Sequence, residues 1–243
     1  MDFFNNKKRV VQRAIVSAVA SSLIAFNSFA STSEDYEKAL TAFNQNEYDE
    51  AYIHLKNSLQ KDPENLAAKI LMGEILLING YLTAAEMEFV EALEMGADIN
   101  LLAEPLGNTW LFLNRYQEIV DFSDLNKLSG DAEREWLMIR ATACIRLQDE
   151  SCALRDYNTI VSRTPNFVPA INGLASIALQ NEDLSKATSL INKAMSLEPK
   201  NAITWRLKGQ LAYRQGDTDA ATAHLQKALT FNRDDPIALR NLV

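Results

Sequence analysis

Small residues recur along the chain at a fixed spacing of 34 positions, and larger apolar residues surround them in a helical pattern. The first series consists of Ala39, Gly73, Gly107, Ala141, Ala175 and Gly209. In five of these six segments a second small residue follows twelve positions later, namely Ala51, Ala85, Ala153, Ala187 and Ala221. Small residues let two helices cross closely, so the pattern predicts one helix pair that is repeated along the chain.

The register predicts six units of two antiparallel helices, A and B, that together cover residues 31–235. The units begin near residues 32, 66, 100, 134, 168 and 202. In unit one, polar residues 44–46 separate the two helices. The B helix is expected to stop before Pro63, because proline cannot continue a helix. Residues 236–243 are predicted to be the start of a partial seventh unit or a truncated cap.

Unit six carries the fullest set of repeated residues. The set comprises Trp205, Gly209, Tyr213, Gly216, Ala221, Leu225 and Ala228. It resembles the consensus of the tetratricopeptide repeat, and units one, two, four and five match that consensus at most places. The resemblance implies an all-α fold, a right-handed superhelical solenoid of antiparallel helix pairs. It also implies that a broad groove binds proteins or peptides and that the protein is not an enzyme.

Unit three departs from the consensus. Pro105 lies near the middle of its A helix and is expected to shorten or kink that helix. Its B helix is predicted over residues 116–128, where Ile119 replaces the usual small residue and would spread the two helices. Two interpretations stay open, a drifted repeat or a joint with a partner-specific role.

The first thirty residues have the pattern of a signal peptide. Lys7, Lys8 and Arg9 form a basic segment, an apolar stretch runs over 14–26, and Ala30 ends a small-residue cleavage site. We expect cleavage near Ala30 and an exported, periplasmic or secreted chain without a stable membrane span. An uncleaved membrane anchor is the alternative, although the apolar stretch is shorter than the roughly 20 residues that span a bilayer.

The charge of the chain argues against nucleic acid as a partner. The formal net charge is −8, and removal of residues 1–30 would take away four basic residues and one acidic residue. A strongly acidic surface repels both nucleic acid and anionic lipid.

Cys144 and Cys152 lie eight residues apart, on opposite helices of unit four. They are either two small apolar core residues or a disulfide that joins the helix pair. The chain has only His54 and His224 besides them, so no metal site is predicted. No cofactor-binding loop and no catalytic motif is found either, and the two histidines are interpreted as helix surface.

The family resemblance places the groove on fixed A-helix positions. In the first units these positions are mostly apolar, although they include Glu74 and Glu104; in the later units they are amides and arginines. The candidate partner-binding residues are Asn108, Arg146, Asn172, Ser176, Arg206, Gln210, Tyr213 and Arg214. The arginines would suit a carboxylate, an acidic peptide or an anionic sugar. The alternative is an ordinary solvated helix surface.

These features predict a non-enzymatic scaffold in the bacterial cell envelope. The chain is similar in style to the tetratricopeptide proteins that accompany exopolysaccharide export and PEP-CTERM systems. Alternatives are a carbohydrate- or peptidoglycan-binding module and a structural part of a pilus or secretion assembly. Self-association through an uncapped C-terminal end is a further expectation.

Overall fold

The computed structural model describes residues 34–242, which form thirteen α-helices and one 3₁₀ helix without any strand. The predicted signal peptide and its cleavage site lie outside the described residues. The α-helices are α1 (Glu34–Asn44), α2 (Tyr48–Lys61), α3 (Leu66–Ile78), α4 (Leu82–Glu94), α5 (Ile99–Phe112), α6 (Tyr116–Val120), α7 (Gly130–Arg146), α8 (Glu150–Arg163), α9 (Val168–Gln180), α10 (Leu184–Leu197), α11 (Ala202–Arg214), α12 (Thr218–Phe231) and α13 (Pro236–Asn241). The 3₁₀ helix Ser123–Lys127 follows α6.

The helices stack as pairs, with A helices at odd numbers from α1 to α11 and B helices at even numbers from α2 to α12. The pairs α1 and α2, α3 and α4, α9 and α10, and α11 and α12 have extensive contacts, and neighbouring pairs touch through α2 and α3, α4 and α5, α8 and α9, and α10 and α11. The all-helical solenoid predicted from the 34-residue register is therefore confirmed. Apart from the six repeats, called unit one to unit six, the chain divides into two larger compact parts. We call them the first unit, which ends at Ala143, and the second unit, which begins at Cys144 within α7.

Each unit has an apolar interior built from both helices of its pairs. In the first unit the largest fully buried side chains include Phe89 and Trp136. In the second unit Ile171, Ile191 and Leu207 are fully buried. The register alanines are buried at these crossings, all without exposed surface except Ala221 at 4%, as close helix packing requires.

A residue with positive φ lies two positions after the end of every A helix of the six pairs, and these residues again recur every 34 positions. They are Asn46, Gly80, Asn114, Gln148, Glu182 and Gly216. In the second pair the amide of Tyr81 donates to the carbonyl oxygen of Leu76 at 2.8 Å, and the other five turns have the same bond. This is the Schellman arrangement, which satisfies the last carbonyls of a helix and reverses the chain. Every A helix therefore passes into its B helix through the same turn.

Replacing Gln148 with glycine should stabilise the protein by about 1 kcal/mol. Gln148 has a φ of 62°, a conformation that glycine adopts without the steric penalty of a side chain. Denaturant unfolding of the full chain would measure the change. Ala223→Gly, at an exposed place inside α12, is the control and should destabilise by about 1 kcal/mol. A loss of stability in Gln148→Gly would contradict the prediction.

Unit three differs from the predicted helix pair. The predicted B helix over 116–128 is wrong as one helix, because α6 stops at Val120 and a 3₁₀ turn follows. Phe122, between the two, packs its ring 4.4 Å from that of Trp136 on α7. The segment is then fixed to α5, where the Asn100 side chain accepts a hydrogen bond from the Ser129 amide at 3.0 Å. Packing of Phe122 thus replaces the continuation of the helix.

Ile119 and Pro105 are both accommodated in unit three. Ile119 is fully buried in the core of the first unit. α5 continues through Pro105 for its full 14 residues, so the expected shortening is wrong. Leu102 and Leu106 are buried on either side of the proline, and this burial offsets the backbone hydrogen bond that Pro105 cannot donate.

The first turns of the predicted seventh unit form α13. The Asp235 side chain accepts hydrogen bonds from the amides of Ile237 and Ala238, at 2.9 and 3.0 Å, and so caps the helix. Ala238 is buried against Leu225 and Ala228 of α12. α13 therefore covers part of the last helix pair.

Candidate functional site

Two sets of A-helix residues occupy the positions predicted for the groove, and each belongs to one unit. Successive A helices touch in both units, α3 with α5 and α9 with α11. We define the first A-helix wall as Tyr36, Ile70, Glu74, Glu104, Asn108 and Leu111. We define the second A-helix wall as Asn172, Ser176, Gln180, Arg206, Gln210, Tyr213 and Arg214.

Asn172 in the second wall is a structural residue. Only 4% of its surface is exposed. Its side-chain oxygen accepts a hydrogen bond from Thr204 Oγ1 at 3.1 Å, and its amide nitrogen donates to Asn201 Oδ1 at 3.4 Å. Asn201 in turn caps α11. Asn172 therefore ties α9 to the start of α11, and the structure does not leave it at the surface as the partner-contact prediction requires.

Arg206 is also engaged within the fold. Its Nε lies 3.2 Å from Asp235 Oδ2, although the angle is not that of a hydrogen bond, and the two side chains are 14% and 8% exposed. The ion pair neutralises Arg206 and joins α11 to the start of α13. In contrast to the predicted Arg-lined surface, this guanidinium faces a carboxylate of its own chain.

The accessible part of the second wall lies toward the C-terminal ends of α9 and α11. Tyr213 is 67% exposed, and Gln180 is exposed one helix away. Arg214 is exposed, and its Nη1 lies 3.5 Å from Glu182 Oε1. An ion pair between two exposed side chains contributes little stability, so it holds Arg214 only weakly. Ser176 and Gln210 are half-buried. This end of the wall presents an aromatic ring among amide and cationic groups.

The two other predicted contact residues lie elsewhere. Asn108 is half-buried on α5 in the first wall, and Arg146 is exposed at the end of α7. Whether either contacts a partner stays a prediction.

The first wall contains two carboxyl groups in apolar surroundings. Glu74 on α3 is 6% exposed, and within residues 34–242 it has neither a hydrogen bond nor an ion pair. Burial raises its pKa to about 8, with a smaller contribution from the charge of Glu104 on α5. Burial likewise raises the pKa of Glu104 to about 7, with help from Glu135 on α7. The wall thus combines apolar side chains with acids that lack a cation.

The sequence contained a signal for this arrangement that the groove prediction did not use. Between residues 66 and 78 the chain is apolar except for Lys69 and Glu74. Lys69 pairs with Glu91, at 3.0 Å, and lies 3.8 Å from Glu88 on α4. Lys69 precedes Glu74 by five positions, so the two point to different sides of α3. A lone acid on the groove side of an apolar helix was therefore readable from the sequence.

Cys144 and Cys152 are bonded as a disulfide, so of the two alternatives the structure has the covalent one. The bridge joins the end of α7 to the start of α8, with Cα atoms 5.8 Å apart. Asp156 lies within 4.8 Å of both sulfurs, and no other group of three such ligands lies so close in the described residues. Because the sulfurs are bonded to each other, they offer no thiolates to a metal ion.

The two histidines take part in local packing. His54 lies 3.7 Å from Glu50 on α2. The ring of His224 lies 5.5 Å from that of Trp205, and burial lowers the pKa of His224. Across residues 34–242 no helix is both long and apolar enough to cross a bilayer.

Comparison with known proteins identifies the repeat. Two family models, both described as tetratricopeptide repeat, match residues 36–99 and 178–243, which together make up more than half of the chain. The protein is built from tetratricopeptide repeats. No curated protein matches its sequence at a significant level.

Several tetratricopeptide structures have a similar fold. The type IV pilus biogenesis factor PilW is 18% identical with a TM-score of 0.71, over 89% of this chain and all of that one. PilF of Pseudomonas aeruginosa is 14% identical with a TM-score of 0.67, over 85% of this chain and 94% of that one. A repeat protein from Parabacteroides merdae is 18% identical with a TM-score of 0.60, over 86% and 96%. At these identities the likeness is one of fold.

Proposed function

We propose that this tetratricopeptide repeat protein is a non-enzymatic scaffold that holds a protein or peptide partner in the bacterial cell envelope. The observation that carries the proposal is the accessible end of the second A-helix wall. There Tyr213 is 67% exposed and is followed on α11 by the exposed Arg214, while Gln180 is exposed on the contacting helix α9. Exposed aromatic and arginine side chains are the residues that most often anchor a protein interface.

The disulfide supports the envelope as the setting. Disulfides persist in oxidising compartments such as the periplasm and are rare in the bacterial cytosol. The Cys144–Cys152 bridge therefore agrees with export directed by residues 1–30.

Two assemblies are candidate settings for the scaffold. Pilus biogenesis is favoured by the likeness to PilW, which covers the whole of that chain. Exopolysaccharide export is the other setting, because exported tetratricopeptide proteins of similar style accompany it. The partner that the scaffold binds would decide between them.

Site-specific photocrosslinking in the native host would test the scaffold role. We expect a photoreactive phenylalanine analogue in place of Tyr213 to form an adduct with an envelope protein. The same analogue in place of Ala223, which is exposed on the B helix α12, is the matched control and should form none. Mass spectrometry of the adduct would separate a pilus component from an exopolysaccharide-export component. No adduct at Tyr213, or equal adducts at both positions, would contradict the proposal.

A further inference from the structure

The first A-helix wall contains a buried acid without a partner. The Glu74 side chain is more than nine-tenths buried on α3, and no cation or hydrogen-bond donor of residues 34–242 pairs with it. Isolated buried carboxyl groups are rare in folded proteins, because burying one without a partner is unfavourable. A group kept in this state is a candidate for contact with a ligand.

Further acids follow Glu74 across the neighbouring A helices. Glu104 lies on α5, which contacts α3, and its charge acts on Glu74; the charge of Glu135 on α7 acts in the same way on Glu104. Glu135 has a cation of its own, since Arg134 contacts it at 3.2 Å. Glu104, like Glu74, has no such partner among the described residues. The acids therefore form a row on three successive A helices, of which two members lack a countercharge.

The surroundings of the row are apolar. Burial raises the pKa of the Tyr36 phenol on α1, and the charges of Glu37 and then Glu74 add to the rise. Ile70, Leu111 and Tyr36 are partly buried and pack against the core of the first unit. A ligand in this place would contact aliphatic and aromatic groups around its charged group.

A metal ion does not fit the row. The described chain has only one group of three carboxylate, thiol or imidazole ligands within 4.8 Å of one another, and it is the group at the disulfide. The row therefore lacks the close ligand set that a divalent ion needs. A guanidinium or ammonium on a long side chain needs no such closeness, since its N–H groups donate to separate carboxylates.

We propose that the first A-helix wall binds a protein segment in which an arginine or lysine stands between apolar residues, with Glu74 and Glu104 receiving the cation. The inference rests on the proposed function, since it names the partner chemistry of one wall of the scaffold. It also differs from the acidic partner that the arginines of the sequence suggested.

Peptide selection on the full chain would test this chemistry. The probe is a displayed library of random dodecapeptides, and we expect the selected peptides to carry arginine or lysine between apolar residues. For each synthetic binder, replacing the arginine with neutral citrulline should weaken binding at least about tenfold, because a charge-assisted hydrogen bond is lost. The double variant Glu74→Gln with Glu104→Gln should bind the arginine peptide more weakly by the same factor, and its affinity for the citrulline peptide should equal that of the wild type.

A second double variant controls for net charge. Glu64→Gln with Glu94→Gln makes the same two replacements at exposed positions and should leave binding unchanged. Equal affinity of the arginine and citrulline peptides, or equal weakening by both double variants, would overturn the inference. Such a result would leave the scaffold role intact, because crosslinking at Tyr213 tests that role in the other unit.

Discussion

Replacing Gly73 with valine should destabilise the protein by about 3 kcal/mol or more. A Cβ atom at this position would lie 2.4 Å from Cε1 of Phe89, a distance that side chains cannot adopt. Phe89 is fully buried between α3 and α4, so its ring has no free space to enter. Overpacking of this kind forces helices apart or side chains out of their rotamers. Denaturant unfolding of the full chain, followed by circular dichroism, would measure the loss.

A double-mutant cycle isolates the contact between these two residues. Phe89→Leu removes the ring atoms nearest to the added side chain and should lower stability on its own by about 1 kcal/mol. Combined with Gly73→Val it should recover a part of the loss, so that the double variant is more stable than the sum of the single effects predicts. Strict additivity would show that the close crossing of α3 and α4 does not depend on this contact.

The close crossing at Gly73 is a feature that the sequence could predict. A small residue in a fixed register implies a near neighbour, and Phe89 is that neighbour. The turns follow the same logic, because Gly80 and Gly216 mark the positive-φ place of two pairs. Local chemistry repeated at one period is enough to determine these features.

Other features depend on contacts that no local pattern encodes. Gly107 keeps the register, yet an added Cβ there would meet Trp136 and Ile139 of α7. Gly107 faces α7 and not its own B helix because the B helix of unit three is short and aromatic rings fill its place. Arg206 has the composition of a partner contact, but Asp235, 29 positions later, neutralises it. The choice between a surface residue and an internal ion pair is made by tertiary packing.

The burial of Glu74 was equally beyond the sequence. Its position in an apolar helix could be read, whereas the lack of a cation around it could not. A groove glutamate with a lysine nearby would form an ordinary ion pair, and Lys69 is near Glu74 in the sequence. Only the structure shows that Lys69 turns toward Glu88 and Glu91 instead.

Replacing Glu74 with glutamine should stabilise the protein at neutral and mildly alkaline pH and leave it nearly unchanged at pH 4. The pKa of Glu74 is raised from 4.5 to about 8 in the folded protein. Below pH 4.5 the carboxyl is protonated in both the folded and the unfolded chain. As the pH rises toward 8 the unfolded chain releases this proton first, so the free energy of unfolding falls.

The expected difference at pH 7.5 is about 1–3 kcal/mol in favour of the glutamine variant. One pKa unit corresponds to 1.36 kcal/mol, and the lower figure allows for water reaching the carboxyl during fluctuations. Glu104, whose pKa is raised to about 7, adds a fall of the same sign, so the variant keeps part of the slope. The remaining groups near the pair are Tyr36, whose pKa is raised above its usual value, and Glu135, which Arg134 contacts.

Urea unfolding of the full chain at intervals between pH 4 and pH 8.5 would measure this difference. The wild-type curve should fall with pH, and the Glu74→Gln curve should fall less steeply. Glu64→Gln, an exposed replacement of the same chemistry, should follow the wild type throughout. Parallel curves for wild type and Glu74→Gln would show that folding does not raise the pKa of Glu74. Glu74 would then not be the uncompensated buried acid that the cationic partner is expected to meet.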